Sequence, residues 1–303
     1  MNRNIKIIGG SSQIRNLIEF IKKASKIDVN VLVLGETGVG KELAARMIHI
    51  YSARKDKPFI KINCSNINEN LLESELFGYK KGAYTGAIID KPGLLEAANG
   101  GTFFLDEIAD INLYLQAKFL SFIEDKELRR LGENRTRKID VRFIFASNKD
   151  INKFIKQAKF RDDLYYRISV LSFYIAPLRE RKEDIHLLIK SYLKNKSLKQ
   201  SQYFTIEQTA IDKLMRYSFP GNVRELQNIM ERATVLSENR KISEKDIIFY
   251  NMENSGKKEK LKSNREIIKK TVEKYQGNKT KAALALGVSR QWIHKVLNES
   301  DRK

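Results

Sequence analysis

The residues VNVLVLG (29–35) lead without a break into GETGVGK (35–41), and KELAARMIHIYS (41–52) continues with helical spacing. An apolar run ending at glycine reads as a buried parallel strand, and a strand turning through glycines into a helix leaves few folds open. The chemistry suited to that turn is phosphate binding. Glycines let backbone N–H groups wrap phosphate oxygens, the helix start adds its positive end, and Lys41 reaches the outer phosphates. Gly35, Glu36, Thr37, Gly38, Val39, Gly40, Lys41 and Glu42 are therefore the candidate nucleotide-binding residues. The bland alternative is a glycine turn with no ligand.

One position departs from the common pattern. Glu42 stands where most phosphate loops carry the Ser or Thr that ligates Mg²⁺, so a metal must lean on other groups. GGTFFLDE (100–107) offers them, as an apolar strand ending in two carboxylates. Asp106 suits Mg²⁺, and Glu107 suits polarising an attacking water. An Asp-Glu pair after a strand is ordinarily the start of a solvated loop. Together with the phosphate loop it indicates an NTPase.

The surrounding pattern is α/β. SSQIRNLIEFIKKAS (11–25) opens with a serine cap and sets Ile14, Leu17, Ile18 and Ile21 on one helical face. VRFIFAS (141–147) is a further buried-strand candidate. Strands alternating with helices predict a parallel sheet with helices on both faces. After Pro177 the pattern turns helical through EDIHLLIKSYL and TIEQTAIDKLMRY, where Thr205 and Gln208 are spaced as a capping box.

Composition narrows the class. The chain has 303 residues, with 57 Lys and Arg against 37 Asp and Glu, a formal charge of +20 that suits a polyanionic partner. Residues 255–303 hold 14 Lys/Arg against 5 Asp/Glu. NMENSGKKEKLKSN (251–264), just before and into this tail, is nearly free of large apolar residues and reads as a linker. No apolar run approaches the ~18–20 residues that cross a bilayer, and the N-terminus has no signal-peptide core. The single cysteine, Cys64, excludes an internal disulfide and a cysteine-cluster zinc site, and the three histidines are scattered. A soluble, cytoplasmic protein is expected.

GETGVGKE, ESELFGYKKGAYTGA (73–87), GGTFFLDEI, FRDDLYYRISV (160–170), PLRERKEDI and FPGNVRELQN (219–228) stand in one order over residues 5–250. In that order the chain resembles the sigma-54-dependent transcriptional activators, the bacterial enhancer-binding proteins within the AAA+ ATPases. The resemblance implies an AAA+ P-loop α/β subdomain over 1–176, an α-helical lid over 177–250, a linker over 251–262 and a small all-α domain over 263–303. It implies ATP with Mg²⁺ and a ring, typically a hexamer. It gives Gly82, Ala83, Tyr84, Thr85, Gly86 and Ala87 the part of the loop that engages sigma-54 RNA polymerase, with Tyr84 in place of Phe.

Arg161 and Arg167 resemble arginine fingers that act on a neighbouring subunit's γ-phosphate, a task suited to a permanently charged, bidentate guanidinium. Asn148 resembles the sensor I residue and Arg224 the sensor II residue. Asn63 matches the position that restrains the catalytic Glu. For Asn63 a satisfied strand-end amide is the alternative, and Cys64 reads as a small buried residue.

The tail SNREIIKKTVEKYQGNKTKAALALGVSRQWIHKVLNE (263–299) resembles a Fis-type helix-turn-helix that binds double-stranded DNA as a dimer. Its first helix would run from Thr280 to Leu286, with Gly287 the turn and Ser289–Leu297 the recognition helix. Ala282, Ala283, Leu286, Val288, Ile293 and Val296 would pack the pair. Ser289 would cap the second helix, Arg290, Gln291 and His294 would face base edges, and Lys279, Lys281 and Lys295 phosphates. Trp292 and His294 differ from the more usual residues there, so the operator is not readable.

The expected function is a transcriptional activator that remodels sigma-54 polymerase by ATP hydrolysis. A DNA-binding repressor whose assembly is controlled by ATP is the alternative, and a ring ATPase acting on DNA itself is a third. Activators of this kind commonly begin with a receiver or sensing domain, which is not seen ahead of the ATPase motifs. Either a separate regulatory protein supplies control, or the chain is cut from a longer one.

Overall fold

The computed structural model describes residues 6–200 and 202–249, and in the C-terminal stretch residues 268, 271–273, 275–286, 288, 292, 293 and 297. It divides into two compact units, Met1–Leu187 with Phe219–Arg224, and Leu188–Ser218 with Glu225–Lys303.

The first unit is built on five parallel strands: β1 (Val31–Leu34), β2 (Phe59–Asn63), β5 (Thr102–Asp106), β8 (Arg142–Ser147) and β9 (Leu171–Tyr174), in the spatial order β2-β5-β8-β1-β9. β8 lies between β5 and β1, and all six of its residues are buried, as a central strand of a parallel sheet covered on both faces requires. Side-chain alternation divides the core between the two faces. Phe103, Leu105, Phe143 and Phe145 join a cluster with Phe119 and Phe122 of the helix Leu113–Asp125 (α5) and Leu164 and Ile168 of the helix Asp162–Ile168 (α7). Phe104, Ile144 and Ala146 join the opposite cluster, with Ile14, Leu17 and Ile21 of α1 (Ser12–Ala24) and Ala44, Ala45 and Ile48 of α2 (Lys41–Ile50). The expected parallel sheet covered on both faces is present.

Local chemistry sets the helix ends. The Ser11 hydroxyl accepts from the N–H of Ile14 at 3.2 Å, as the cap expected there, and donates to the Asp184 carboxylate at 2.6 Å. Asp184 also accepts the N–H groups of Gly10 and Ser11, so this buried carboxylate is fully bonded.

Two hairpins project from the unit. β3 (Gly78–Tyr79) pairs antiparallel with β4 (Lys91–Pro92), and β6 (Glu127–Arg129) with β7 (Thr136–Lys138). At the neck of the first, Gly78 has φ +74°, and a Cβ there would lie 2.5 Å from the carbonyl of Lys91, so only glycine fits. Between β3 and β4 runs the GAYTGA segment.

The second unit carries α9 (Gln208–Met215) and most of α10 (Asn222–Leu236), with a two-residue parallel pair of β10 (Thr205–Ile206) and β11 (Lys241–Ile242). The capping box expected at Thr205 and Gln208 is not formed. Thr205 is drawn into β10, its N–H bonding to the Arg240 carbonyl at 3.0 Å, and the helix starts later with Glu207 at its N-cap and no side-chain cap. Farther on, the helix Lys279–Leu286 buries Ala282, Ala283 and Leu286 with Ile268 and Ile293, and Val288 packs against them. Lys279 is half-buried and Lys281 exposed. Ser289, Arg290, Gln291, His294, Lys295 and Val296 lie outside the described residues. Among the described residues no helix is long and apolar enough to cross a membrane.

Candidate active site at the carboxyl ends of the sheet

The phosphate loop leaves β1 at Gly35 and enters α2 at Lys41, with left-handed backbone at Gly38 and Gly40. Gly38 has no alternative, because a Cβ there would stand 2.3 Å from the Gly221 carbonyl. A Cβ on Gly40 would meet nothing within 4 Å, so the turn leaves an open cradle at the helix start. Among the described residues, the N–H groups of Thr37, Gly38, Gly40, Lys41 and Glu42 meet no protein acceptor. Donors in that arrangement fit phosphate. Lys41 is buried, its Nζ 2.9 Å from the Gly35 carbonyl and 3.4 Å from a Glu107 oxygen.

Glu107 sits directly after β5 with φ +56°, a left-handed conformation that costs a β-substituted residue energy, and is only 8% exposed. One carboxylate oxygen accepts the N–H of Asn148 at 2.9 Å, at the end of β8. The Asn148 amide in turn donates to the Thr37 hydroxyl at 3.0 Å. Lys41, Glu107, Asn148 and Thr37, expected at one site, are thus brought together by the adjacency of β5, β8 and β1.

Asp106 is set beside them. Burial first, and then the neighbouring Glu107 charge, raise its carboxyl above the ordinary aspartate range. The Asn63 amide at the end of β2 lies 3.5 Å from an Asp106 oxygen, and its own oxygen accepts from the N–H and hydroxyl of Ser65. In this conformation Asn63 reaches Asp106 rather than Glu107. A half-buried carboxylate with a second carboxylate at its side is a hard-oxygen donor that a divalent cation would relieve, so Asp106 fits Mg²⁺. Glu42 fits it less well, because one of its oxygens lies 2.9 Å from Arg46 and 3.0 Å from Lys61, whose hydrogen bonds hold its carboxyl below the usual range. Among the described residues no cluster of three His, Cys, Asp or Glu is placed to hold a metal without help from phosphate.

The raised Asp106 value carries a stability consequence with a definite sign. A carboxyl whose folded value lies above its unfolded one destabilises the fold when ionised. The cost is full above the folded value and fades as pH falls through it toward the unfolded one. Asp106→Asn should therefore raise the melting temperature of the nucleotide-free, metal-free protein at pH 7.5, by about 2 °C, discounted for partial solvent access. The gain should shrink at pH 4. An equal gain at both pH values in thermal unfolding would contradict the burial argument.

The other expected residues are placed as follows. Arg224 is exposed, and its N–H bonds the Gly38 carbonyl at 3.3 Å, so its backbone abuts the phosphate loop. Arg161 precedes α7 as its N-cap and Arg167 lies in its last turn; both are exposed, and neither contacts the phosphate loop among the described residues. Asp163 holds the Arg161 guanidinium in a fork at 3.0 and 2.6 Å, whereas Arg167 has no ion pair among the described residues. Cys64 is buried, and burial pushes its thiol up to about 12, which leaves it inert.

Two residues were not singled out from sequence. Arg179 forks onto Glu36 at 2.8 and 2.6 Å and holds that carboxyl below its usual range. Asn222 bonds the phosphate loop from the start of α10. Their motifs, PLRERKEDI and FPGNVRELQN, were visible, but nothing local pointed to a partner some 140 to 190 residues away.

Comparison with known proteins decides the family. Residues 7–174 match the model of the sigma-54 interaction domain, and residues 179–264 that of an AAA+ ATPase lid domain. The chain belongs to the sigma-54 interaction family. It is 41% identical over 297 residues to the transcriptional regulatory protein ZraR of Salmonella typhimurium, covering 95% of this chain and 67% of that protein. It is 41% identical to the regulatory protein AtoC of Escherichia coli, covering 93% and 66%. Against the Nif-specific regulatory protein of Bradyrhizobium diazoefficiens it is 46% identical, covering 76% of this chain and 40% of that one. The chain thus spans two thirds or less of these relatives. Among solved structures, NtrX from Brucella abortus in complex with ADP superposes with a TM-score of 0.75 at 27% identity, covering 98% of this chain and 69% of that one. The parallel sheet with helices is accordingly an AAA+ fold followed by a helical lid.

Proposed function

We propose that this protein is an ATP-hydrolysing transcriptional activator that works as a ring on sigma-54 RNA polymerase. The observation that carries the reading is the Glu107 carboxylate, held by the Asn148 N–H at 2.9 Å beside the open phosphate loop. Lys41 would exchange the Gly35 carbonyl for the outer phosphates, while the free N–H groups of the loop take the inner ones. Asp106 would hold Mg²⁺, which supplies charge neutralisation to the phosphates when bound. Glu107 would orient the attacking water and accept its proton. NtrX has been solved in complex with ADP and with ATP, which supports nucleotide binding by this fold. Asn63, Asn148 and Arg224 would report its state, and Arg161 and Arg167 would act on a neighbouring copy, most simply in a hexamer.

The proposed working contact is the GAYTGA loop. Its tip is a compact turn: the N–H of Gly82 bonds the Ala87 carbonyl at 2.9 Å, and the N–H of Ala87 bonds the Tyr84 carbonyl at 3.0 Å. An ion pair between Lys80 and Asp90 closes its base. Tyr84 stacks edge-on to Tyr79 yet is 45% exposed, and Ile88 and Ile89 beyond it are 76% and 68% exposed. An apolar tip on a fixed base suits docking to another protein. Residues 1–176 would be the ATPase subdomain, 177–250 the lid, 251–262 the linker and 263–303 the DNA-binding domain. Lys279 and Lys281 would lie on phosphates and the recognition-helix residues on bases.

The test is capture of purified sigma-54 by this protein with ADP and a metal-fluoride phosphate mimic, against a nucleotide-free control. Nucleotide-dependent capture, lost in Tyr84→Ala, is the expected result. No capture by a protein with intact ATPase and DNA binding would favour the repressor.

A further inference from the structure

We propose that Asn222 is a positioning residue that sets the shape of the phosphate loop and ties nucleotide affinity to the first turn of α10. This rests on the reading of residues 35–42 as the ATP site.

The side chain is fully buried and uses every donor it has. Its Oδ1 accepts the N–H of Leu178 at 2.7 Å, and its Nδ2 donates to the Glu36 carboxylate and to the Thr37 carbonyl, each at 3.1 Å. The residue has φ +55°, a left-handed conformation that Asn tolerates better than most side chains. Around it the same turn makes two more contacts to the loop. The Arg224 N–H bonds the Gly38 carbonyl, and the Gly221 carbonyl fills the space a Cβ on Gly38 would need.

The consequence is a loop held from its outer side. Thr37 and Gly38 direct their carbonyls toward the FPGNVRE turn, and among the described residues their N–H groups keep no protein acceptor. A phosphate loop works when such donors are aligned before the ligand arrives, because alignment on binding subtracts from affinity. Asn222 supplies that alignment without touching Lys41 or Glu107, so its loss should appear in binding and spare the chemical step.

The experiment exploits donor and acceptor roles. Asn222→Asp keeps the acceptor for Leu178 but sets a carboxylate against Glu36. It should raise the KM for ATP about tenfold and leave kcat within about twofold. Adding Glu36→Gln to that variant supplies an amide donor facing the new carboxylate, and should bring KM back to within about threefold of wild type. A merely structural role predicts that the two substitutions compound. Unchanged KM in Asn222→Asp, or a double variant worse than either single one, would overturn the proposal. Should Asn222→Asp fail to fold, Asn222→Gly decides, since glycine keeps the left-handed backbone and removes only the amide. A severalfold higher KM is expected there, and a wild-type KM would overturn the role. A wild-type chain that binds no ATP would remove the ATPase reading and this role together. Normal wild-type turnover with insensitive variants would remove this role alone.

Discussion

Glu107→Gln is expected to lower ATP turnover by about 10²–10⁴-fold, the usual contribution of a positioned general base, while ATP binding stays close to wild type. The carboxylate is held by one N–H from Asn148 and lies 3.4 Å from Lys41, so it is oriented, and among the described residues no further N–H or hydroxyl donor occupies its oxygens. Glutamine keeps an oxygen for the Asn148 N–H and fills the same volume. What is lost is the negative charge, and with it the capacity to take a proton from water. Lys41→Ala should behave differently, losing affinity as well as turnover, because the amine is the cation of the phosphate loop. Phosphate release under saturating ATP, set beside equilibrium binding of a fluorescent nucleotide, separates the two. Wild-type turnover in Glu107→Gln would remove Glu107 from catalysis and leave the ATPase reading without its base.

The parts of this site that were legible from sequence are those whose signal is local. The centres of the runs TFFLD and VRFIFAS are continuously apolar, at Phe103–Leu105 and Phe143–Ala146, because both faces of β5 and β8 are covered. The phosphate loop is legible because strand, glycines, lysine and helix follow one another. β9 is harder to see, since its burial alternates and a short edge strand carries little pattern. The clamps on Glu36 were not legible at all. Arg179 and Asn222 reach it across 143 and 186 residues, and no local pattern at either residue points to Glu36. Thr205 failed for a related reason: a capping box is a local inference, and a two-residue strand pairing with Lys241 outcompeted it. Asn63 shows the same limit at finer grain, since the residues at the ends of β2 and β5 are adjacent, but which carboxylate the amide meets depends on the backbone turn at Glu107.

Mixing two inactive variants should restore hydrolysis if the ring reading holds. Arg167→Ala subunits retain an intact phosphate loop, and Lys41→Ala subunits retain an intact Arg167. In a ring with head-to-tail contacts, each site is completed by the neighbour, so an Arg167→Ala subunit beside a Lys41→Ala subunit forms one competent interface. At equal mixing, about a quarter of interfaces pair a good site with a good finger, and the rate should approach that share of wild type if interfaces act independently. The structure distinguishes the two arginines. Arg161 is already forked by Asp163, whereas Arg167 is exposed and has no ion pair among the described residues. A guanidinium without an internal partner gives up nothing when it binds phosphate oxygens bidentately. The larger single-variant loss and the clearer rescue should therefore belong to Arg167, with Arg161→Ala the milder lesion. Rates that stay at the level of the separate variants at every mixing ratio, with mixed rings confirmed by size and tag capture, would mean that no finger acts between subunits.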